Sequence, residues 1–243
     1  GFLQGRYIST NIIEMDTAIH QASRHHPLGA LLLFDFSAAF PSVSHDYMWA
    51  ILAHIGVPTT FLGAIQKLYL NNAHQLVLGP ELFPSVQLHS GIRQGYPLSP
   101  SLSVLCLDVF LYQLTQALPP ESTLRAFADD IGLVVPNRRS TLSTVSHLFA
   151  RFATYSSLHL NQKKTLLIPI SPLAPEDYIL LRNIGWADVD HSQQKGKYLG
   201  VYLGPSARPE DPSTTSFPSS TSASPTGLPL PSPPPKSSAS ITC

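Results

Sequence analysis

Leu124-Arg125-Ala126-Phe127-Ala128-Asp129-Asp130-Ile131-Gly132-Leu133-Val134-Val135 is the stretch on which the fold turns. Apolar runs at 124–127 and 131–135 flank Ala128-Asp129-Asp130, which predicts a β-hairpin with the acidic pair at its tip. Neighbouring carboxylates repel one another, and a fold seldom sets them beside buried strands unless a cation offsets the repulsion. A plain acidic turn is the alternative.

Working outward, Gly29-Ala30-Leu31-Leu32-Leu33-Phe34 is a short unbroken apolar run ended by Asp35, the pattern of a buried strand. An acid held where such a strand ends is accessible yet rigid, as metal ligation requires; a turn or cap role is its plainer use. If this strand neighbours the hairpin, Asp35 and Asp129 come close together and form a hard, oxygen-rich site suited to Mg²⁺. Two such ions can hold the attacking and departing oxygens of an in-line phosphoryl transfer.

The other segments alternate. Ser44 reads as the N-cap of a helix over 45–54, and 60–70 as a second helix. Runs at 75–78 and 85–88 flank Gly79-Pro80 and predict another hairpin. Ser99-Pro100 reads as N-cap and first-turn proline of a helix with Leu102, Leu105, Cys106, Val109 and Phe110 on one face, stopped by Pro119-Pro120. A helix over 141–156, a strand at 165–168 and a strand at 197–203 complete an α+β domain with an antiparallel sheet. From 205 to 243 the composition turns to Pro and Ser, which predicts a disordered tail with polyproline II tendency. That tail reads as a ligand for an SH3 or WW groove, or as a linker or out-of-frame terminus.

With 243 residues, 43% of them hydrophobic, the chain can bury one sizeable core. Its Lys+Arg count of 15 equals Asp+Glu at 15, unlike the basic excess that grips nucleic acid. Carboxylates that hold metals and a basic clamp placed elsewhere reconcile that balance with a nucleic-acid partner. Cys106 and Cys243 make neither a disulfide framework nor a thiolate zinc site, and the scattered histidines read as surface residues. No apolar run reaches the ~20 residues that span a bilayer, so no membrane partner is expected. The start at Gly1, without Met and without a signal-peptide layout, is expected to lie inside a longer protein.

Asp35 with an aromatic at Phe40, then Gly91-Ile92-Arg93-Gln94-Gly95-Tyr96-Pro97-Leu98-Ser99-Pro100, then Phe127-Ala128-Asp129-Asp130, resemble in order and spacing three reverse-transcriptase motifs. The middle one is especially similar to those of non-LTR (LINE-like) retrotransposons. Gly5-Arg6 with Ser9-Thr10 resembles the fingers motif, Leu160-Asn161-Gln162-Lys163-Lys164-Thr165 the lysine-bearing palm motif, and Lys197-Tyr198-Leu199-Gly200 the primer-grip segment. Six ordered matches across residues 1–204 do not arise by chance.

The resemblance implies a right-hand polymerase palm, an antiparallel sheet backed by helices. Residues 1–28 would be partial fingers, 29–204 the palm with inserted fingers elements and a primer-grip segment at 195–204, and 205–243 the tail. It implies RNA-directed DNA polymerase activity on an RNA template, a DNA primer and dNTPs, with two Mg²⁺ or Mn²⁺ at Asp35, Asp129 and Asp130. The Phe36 carbonyl would add an oxygen ligand. Phe40 would exclude a 2′-hydroxyl, or else be a core aromatic, and Gln94 and Gly95 would line the nucleotide pocket, or else form an ordinary turn. Lys164, or Lys163 beside it, would stabilise the leaving pyrophosphate, and Arg6 would touch triphosphate or template; both are also read as surface residues. Tyr96 departs from the small or acidic residue common in relatives. An endonuclease ahead and a helical thumb behind are expected of the family, and without a thumb the fragment is expected to be weakly active or inactive. The alternative is an inactive remnant serving as a scaffold or through its Pro-rich tail. The resemblance implies nucleus or cytoplasm without choosing between them.

Overall fold

In the computed structural model the described residues are 7–70, 73–208 and 211, with the side chains of 73–76 and 84–87 set aside; Arg6, Asn71-Asn72 and the Pro/Ser stretch from 212 lie outside them. In chain order the elements are α1 (Ile8–His25), β1 (Ala30–Phe34), α2 (Ala39–Ser42), α3 (His45–His54), α4 (Thr59–Tyr69), β2 (Ala73–Leu78), β3 (Glu81–Gln87) and α5 (Ser99–Ala117). Then come β4 (Thr123–Phe127), β5 (Asp130–Val135), α6 (Arg138–Ser156), β6 (Leu166–Pro169), α7 (Pro175–Asn183), β7 (Gly196–Tyr198) and β8 (Val201–Leu203).

Four strands form the main sheet in the order β4-β5-β1-β6, all antiparallel, with Leu32 opposite both Leu133 and Leu167. β1 is buried on both faces along all five residues, which explains why it reads as a continuous apolar run rather than an alternating one. Its Ala30, Leu32 and Phe34 join Leu133, Val135 and Leu167 in a core with α5 and α6, where the Phe110 and Phe152 rings stack at 4.4 Å. Leu31 and Leu33, with Val134 and Ile168, face the opposite way and meet Ile12, Met15 and Ile19 of α1 and Tyr198, Val201 and Leu203 of β7–β8. Fully burying a side chain such as Met15 or Leu133 contributes about 1.5–3 kcal/mol, so both layers hold the sheet. Gly132 allows the close approach on the α1 side: a Cβ there would lie 2.8 Å from Met15 Cε and 3.2 Å from Tyr198 Cε2.

Some expectations need correction. Ser99 is not the N-cap of α5: Leu98 holds that position, and the Ser99 hydroxyl turns back to donate to the Arg93 carbonyl. The buried stripe of α5 runs through Leu102, Cys106, Leu107, Phe110 and Leu114, leaving Val109 39% exposed, because helical rotation carries the core face away from Val109. Residues 197–203 are two short strands rather than one. Leu199 and Gly200, at φ 51° and 90°, close a two-residue turn of the kind that matches strand twist.

α6 begins earlier than expected, at Arg138, because Asn137 Oδ1 accepts from Arg139 N at 3.0 Å as an N-cap. α7 is anchored to it: the buried Asp177 carboxylate takes Arg138 Nη2 and Arg139 Nε, each at 2.7 Å. β2 and β3 form a separate two-stranded sheet, with Val77, Leu78 and Leu82 at least 60% exposed. Among the described residues no helix is long and apolar enough to cross a membrane.

Candidate active site

The β1–β5 register ends at Phe34 opposite Ile131, so the next step of each chain brings Asp35 level with Asp130. The Asp35 backbone is gripped from the far side. Its N–H donates to the hydroxyl of the fully buried Thr165 at 3.3 Å, and its carbonyl accepts from Asn161 N at 2.8 Å. Phe36 bridges to Leu160, and Ser37 N donates to the His159 carbonyl at 2.8 Å. The acid is thus fixed in backbone and half-exposed in side chain.

Phe127 pairs with Asp130, which leaves Ala128-Asp129 as the hairpin turn, with Ala128 in the left-handed region at φ 54°. A non-glycine residue there costs about 1–2 kcal/mol. Asp130 carries the electrostatic record of the site: burial, then the charge of Asp129, then that of Asp35, push its carboxyl above the ordinary range. The charges of Asp129 and Asp35 therefore both reach Asp130. Among the described residues no group of three or more His, Cys, Asp and Glu side chains closes into a metal cage. Mg²⁺ takes one or two carboxylates and completes its octahedron with water and substrate phosphates, so an open-sided carboxylate set suits it.

The remaining candidates surround this centre in different ways. The Phe36 ring is buried against Phe149 and Phe152, at 5.9 and 6.3 Å. Phe40 is half-buried on α2, and its carbonyl accepts from Ile92 N at 2.6 Å. Beside that bond Gly91, at φ 95°, lies so near Pro41 that a Cβ would sit 2.6 Å from its carbonyl oxygen; Gly91 N also donates to Val43 at 2.7 Å. The segment before α5 is thereby fastened to the segment after Asp35, and it carries the exposed Gln94 and Gly95, the latter at φ 86°. Arg93 braces the same turn, its guanidinium 5.3 Å from the Tyr96 ring centre and 3.0 Å from the Tyr96 hydroxyl. Lys163 and Lys164 stand exposed on the turn between Asn161 and Thr165, the two residues that hold Asp35. Arg6 lies outside the described residues.

Asn161 and Thr165 belong to the matched palm motif, where only the lysines attracted a role, although a threonine and asparagine flanking a turn are ready backbone partners. A groove of about 650 Å³ runs between α1, α5 and the edge strand β4 and reaches Ala128; Asn11, Glu14, Asp108 and Tyr112 are among its walls.

An antiparallel sheet backed by helices, with an acid ending the central strand and an acidic pair tipping the adjacent hairpin, defines the palm of a right-hand polymerase. The family described as reverse transcriptase (RNA-dependent DNA polymerase) matches residues 1–203, and the chain belongs to it, within the non-LTR retrotransposon kind. It is 29% identical over 212 residues to the transposon TX1 149 kDa protein of Xenopus laevis, covering 82% of this chain and 15% of that one. It is 26% identical over 220 residues to the Pol polyprotein of retrotransposable element R2DM of Drosophila melanogaster, covering 83% and 20%. The chain therefore spans a fifth or less of these relatives.

Apo telomerase from Candida tropicalis, truncated from its C-terminal domain, has the same fold at TM-score 0.57 and 14% identity, over 81% of this chain and 38% of that one. The Candida tropicalis telomerase in complex with a TWJ fragment of telomeric RNA gives 0.58 at 12% identity, over 81% and 31%. Reverse transcriptases as a family use divalent metal ions.

Proposed function

We propose that this chain is the polymerising core of an RNA-directed DNA polymerase, which adds deoxynucleotides to a DNA primer on an RNA template. The observation that carries it is the placement of Asp35 and of the Asp129-Asp130 pair, far apart in sequence, at the same end of the paired strands β1 and β5, where the charges of Asp129 and Asp35 both raise the Asp130 carboxyl. Asp35 and Asp129, with Asp130, would hold two Mg²⁺ ions, Mn²⁺ being an alternative, and the Phe36 carbonyl would add an oxygen. Bound there, the ions lower the cost of charge developing on the attacking and departing oxygens.

The chain's own residues do the positioning. The grip of Thr165 and Asn161 on the Asp35 backbone fixes the point from which that carboxylate projects. Gln94 offers donor and acceptor to the incoming nucleotide and Gly95 allows close approach. Phe40, whose main chain is held by Ile92 N and whose half-buried ring packs against the core, is assigned to excluding a 2′-hydroxyl. Lys164, or Lys163, places a positive charge for the departing pyrophosphate. Arg6 is assigned to the triphosphate or template. Residues 1–28 are assigned to partial fingers and 29–204 to the palm. Similarity to telomerases and retrotransposon proteins supports RNA as the template.

Primer extension on an RNA template with the four dNTPs tests the assignment. Slow incorporation that requires Mg²⁺ and stops on chelation is the expected result, and metal-independent incorporation, or none with either Mg²⁺ or Mn²⁺ by the chain extended with downstream thumb helices, overturns it. Phe40→Ala is expected to relax the exclusion of ribonucleotides by up to about a hundredfold, read as the ratio of kcat/KM for dNTP and rNTP.

A further inference from the structure

β4 leads into the acidic turn, yet among the described residues its one strand neighbour is β5. On the outer side lies α1. Asn11, 9% exposed, donates from Nδ2 to the Ala126 carbonyl at 3.0 Å across 115 positions of sequence. One turn further along α1, Glu14 pairs with Arg125, a half-exposed ion pair of little worth by itself. The hydroxyl of the buried Tyr198 donates to the Arg125 carbonyl of the same strand at 3.2 Å.

The other buried residues of α1 are Ile12, Met15, Ala18, Ile19 and Ala22, all apolar. A buried amide among them costs stability unless its hydrogen bonds repay it, so its partner matters. That partner is a main-chain carbonyl two residues before Ala128, on the edge of β4 that faces away from β5. We propose that Asn11 is a positioning residue for nucleotide addition: its bond to the Ala126 carbonyl fixes β4 and hence the Asp129-Asp130 turn. Through that bond it couples α1 to the metal-binding acids. This rests on the polymerase reading given above.

Asn11→Asp keeps the shape of the side chain and removes the donor, setting acceptor against acceptor. In primer extension on an RNA template it is expected to lower kcat about tenfold while KM for dNTP stays within roughly twofold, the pattern of a misplaced reacting group rather than lost substrate binding. Hydrogen exchange of the metal-free protein is expected to accelerate roughly tenfold at amides 123–132 and to stay unchanged in α5 and α6. Asn11→Ser takes its place if the aspartate variant does not fold. Glu14→Gln, which breaks the ion pair alone, is expected to leave kcat within about twofold. Unchanged exchange at 123–132, acceleration spread over the whole sheet, or local acceleration with wild-type kcat each overturn the proposal. If the unsubstituted chain incorporates nothing even when extended with downstream thumb helices, the polymerase reading falls, and the exchange pattern alone upholds or overturns the hold of Asn11 on the turn.

Discussion

β2–β3 and β4–β5 are both hairpins of apolar residues around a tight turn, and they live in opposite environments. In β5 every residue after Asp130 is buried, because β1 lies beside it and helices cover the sheet. In β2–β3 Val77 and Leu82 face each other in register yet stand 64% and 67% exposed, and among the described residues the strands pair only with one another. Local sequence makes a hairpin in both places. A neighbour supplied from 100 positions upstream is what turns one of them into a rigid mount for charge.

The largest way to break this contrast is chemical. Asp129→Asn is expected to reduce nucleotide incorporation by at least about a thousandfold with little change in melting temperature, since metal-held charge is the main source of rate in phosphoryl transfer; Pro80→Ala, at the other tip, is expected to leave the rate unchanged. Both are read by primer extension.

A second contrast is energetic. Leu133→Ala, at a fully buried position, is expected to cost about 2–5 kcal/mol in urea unfolding, against under about 0.5 kcal/mol for Leu82→Ala. Equal losses would mean that the exposed hairpin is covered in solution.

The smallest effect concerns pH. Asp130 is raised by burial and by Asp129 and Asp35. A carboxyl raised on folding leaves stability intact below its unfolded value, about 4, and erodes it as pH climbs through the raised value. Metal-free Asp130→Asn is therefore expected to exceed the unsubstituted protein in stability at pH 7, by under about 1 kcal/mol once solvent screening of this exposed side chain is allowed for. The gap is expected to vanish near pH 4 in paired thermal melts. A gap that widens toward low pH would show that the acids do not repel.

These differences also mark what was legible in the amino-acid sequence. β1, the acidic hairpin and the helices α3 to α6 announce themselves through unbroken or periodic apolar runs, and the order of Asp35 and Asp129-Asp130 is enough to bring them together once the strands pair. α1 is harder to read from sequence, although Ile12, Met15, Ile19 and Ala22 carry its periodicity, since polar residues between them dilute the signal. α7 leaves little trace because its nine residues are too few for a periodic pattern, even with Pro175 and two acids opening it. The roles of Asn11, Asn161 and Thr165 lie in bonds to backbone atoms distant in sequence, and a side chain that serves a carbonyl leaves no spacing rule behind.

Sheets with open rims invite other chains to add strands and grow into fibrils. On one rim of this sheet α1 occupies the outer side of β4, and on the other Asp190 accepts from Leu167 N at 2.8 Å and donates to the Thr165 carbonyl at 3.1 Å. Neither rim is a ready template while the chain is folded. Lifting α1 would uncover the first, so heat or a substitution that loosens that helix is expected to cause precipitation before the rest of the domain melts.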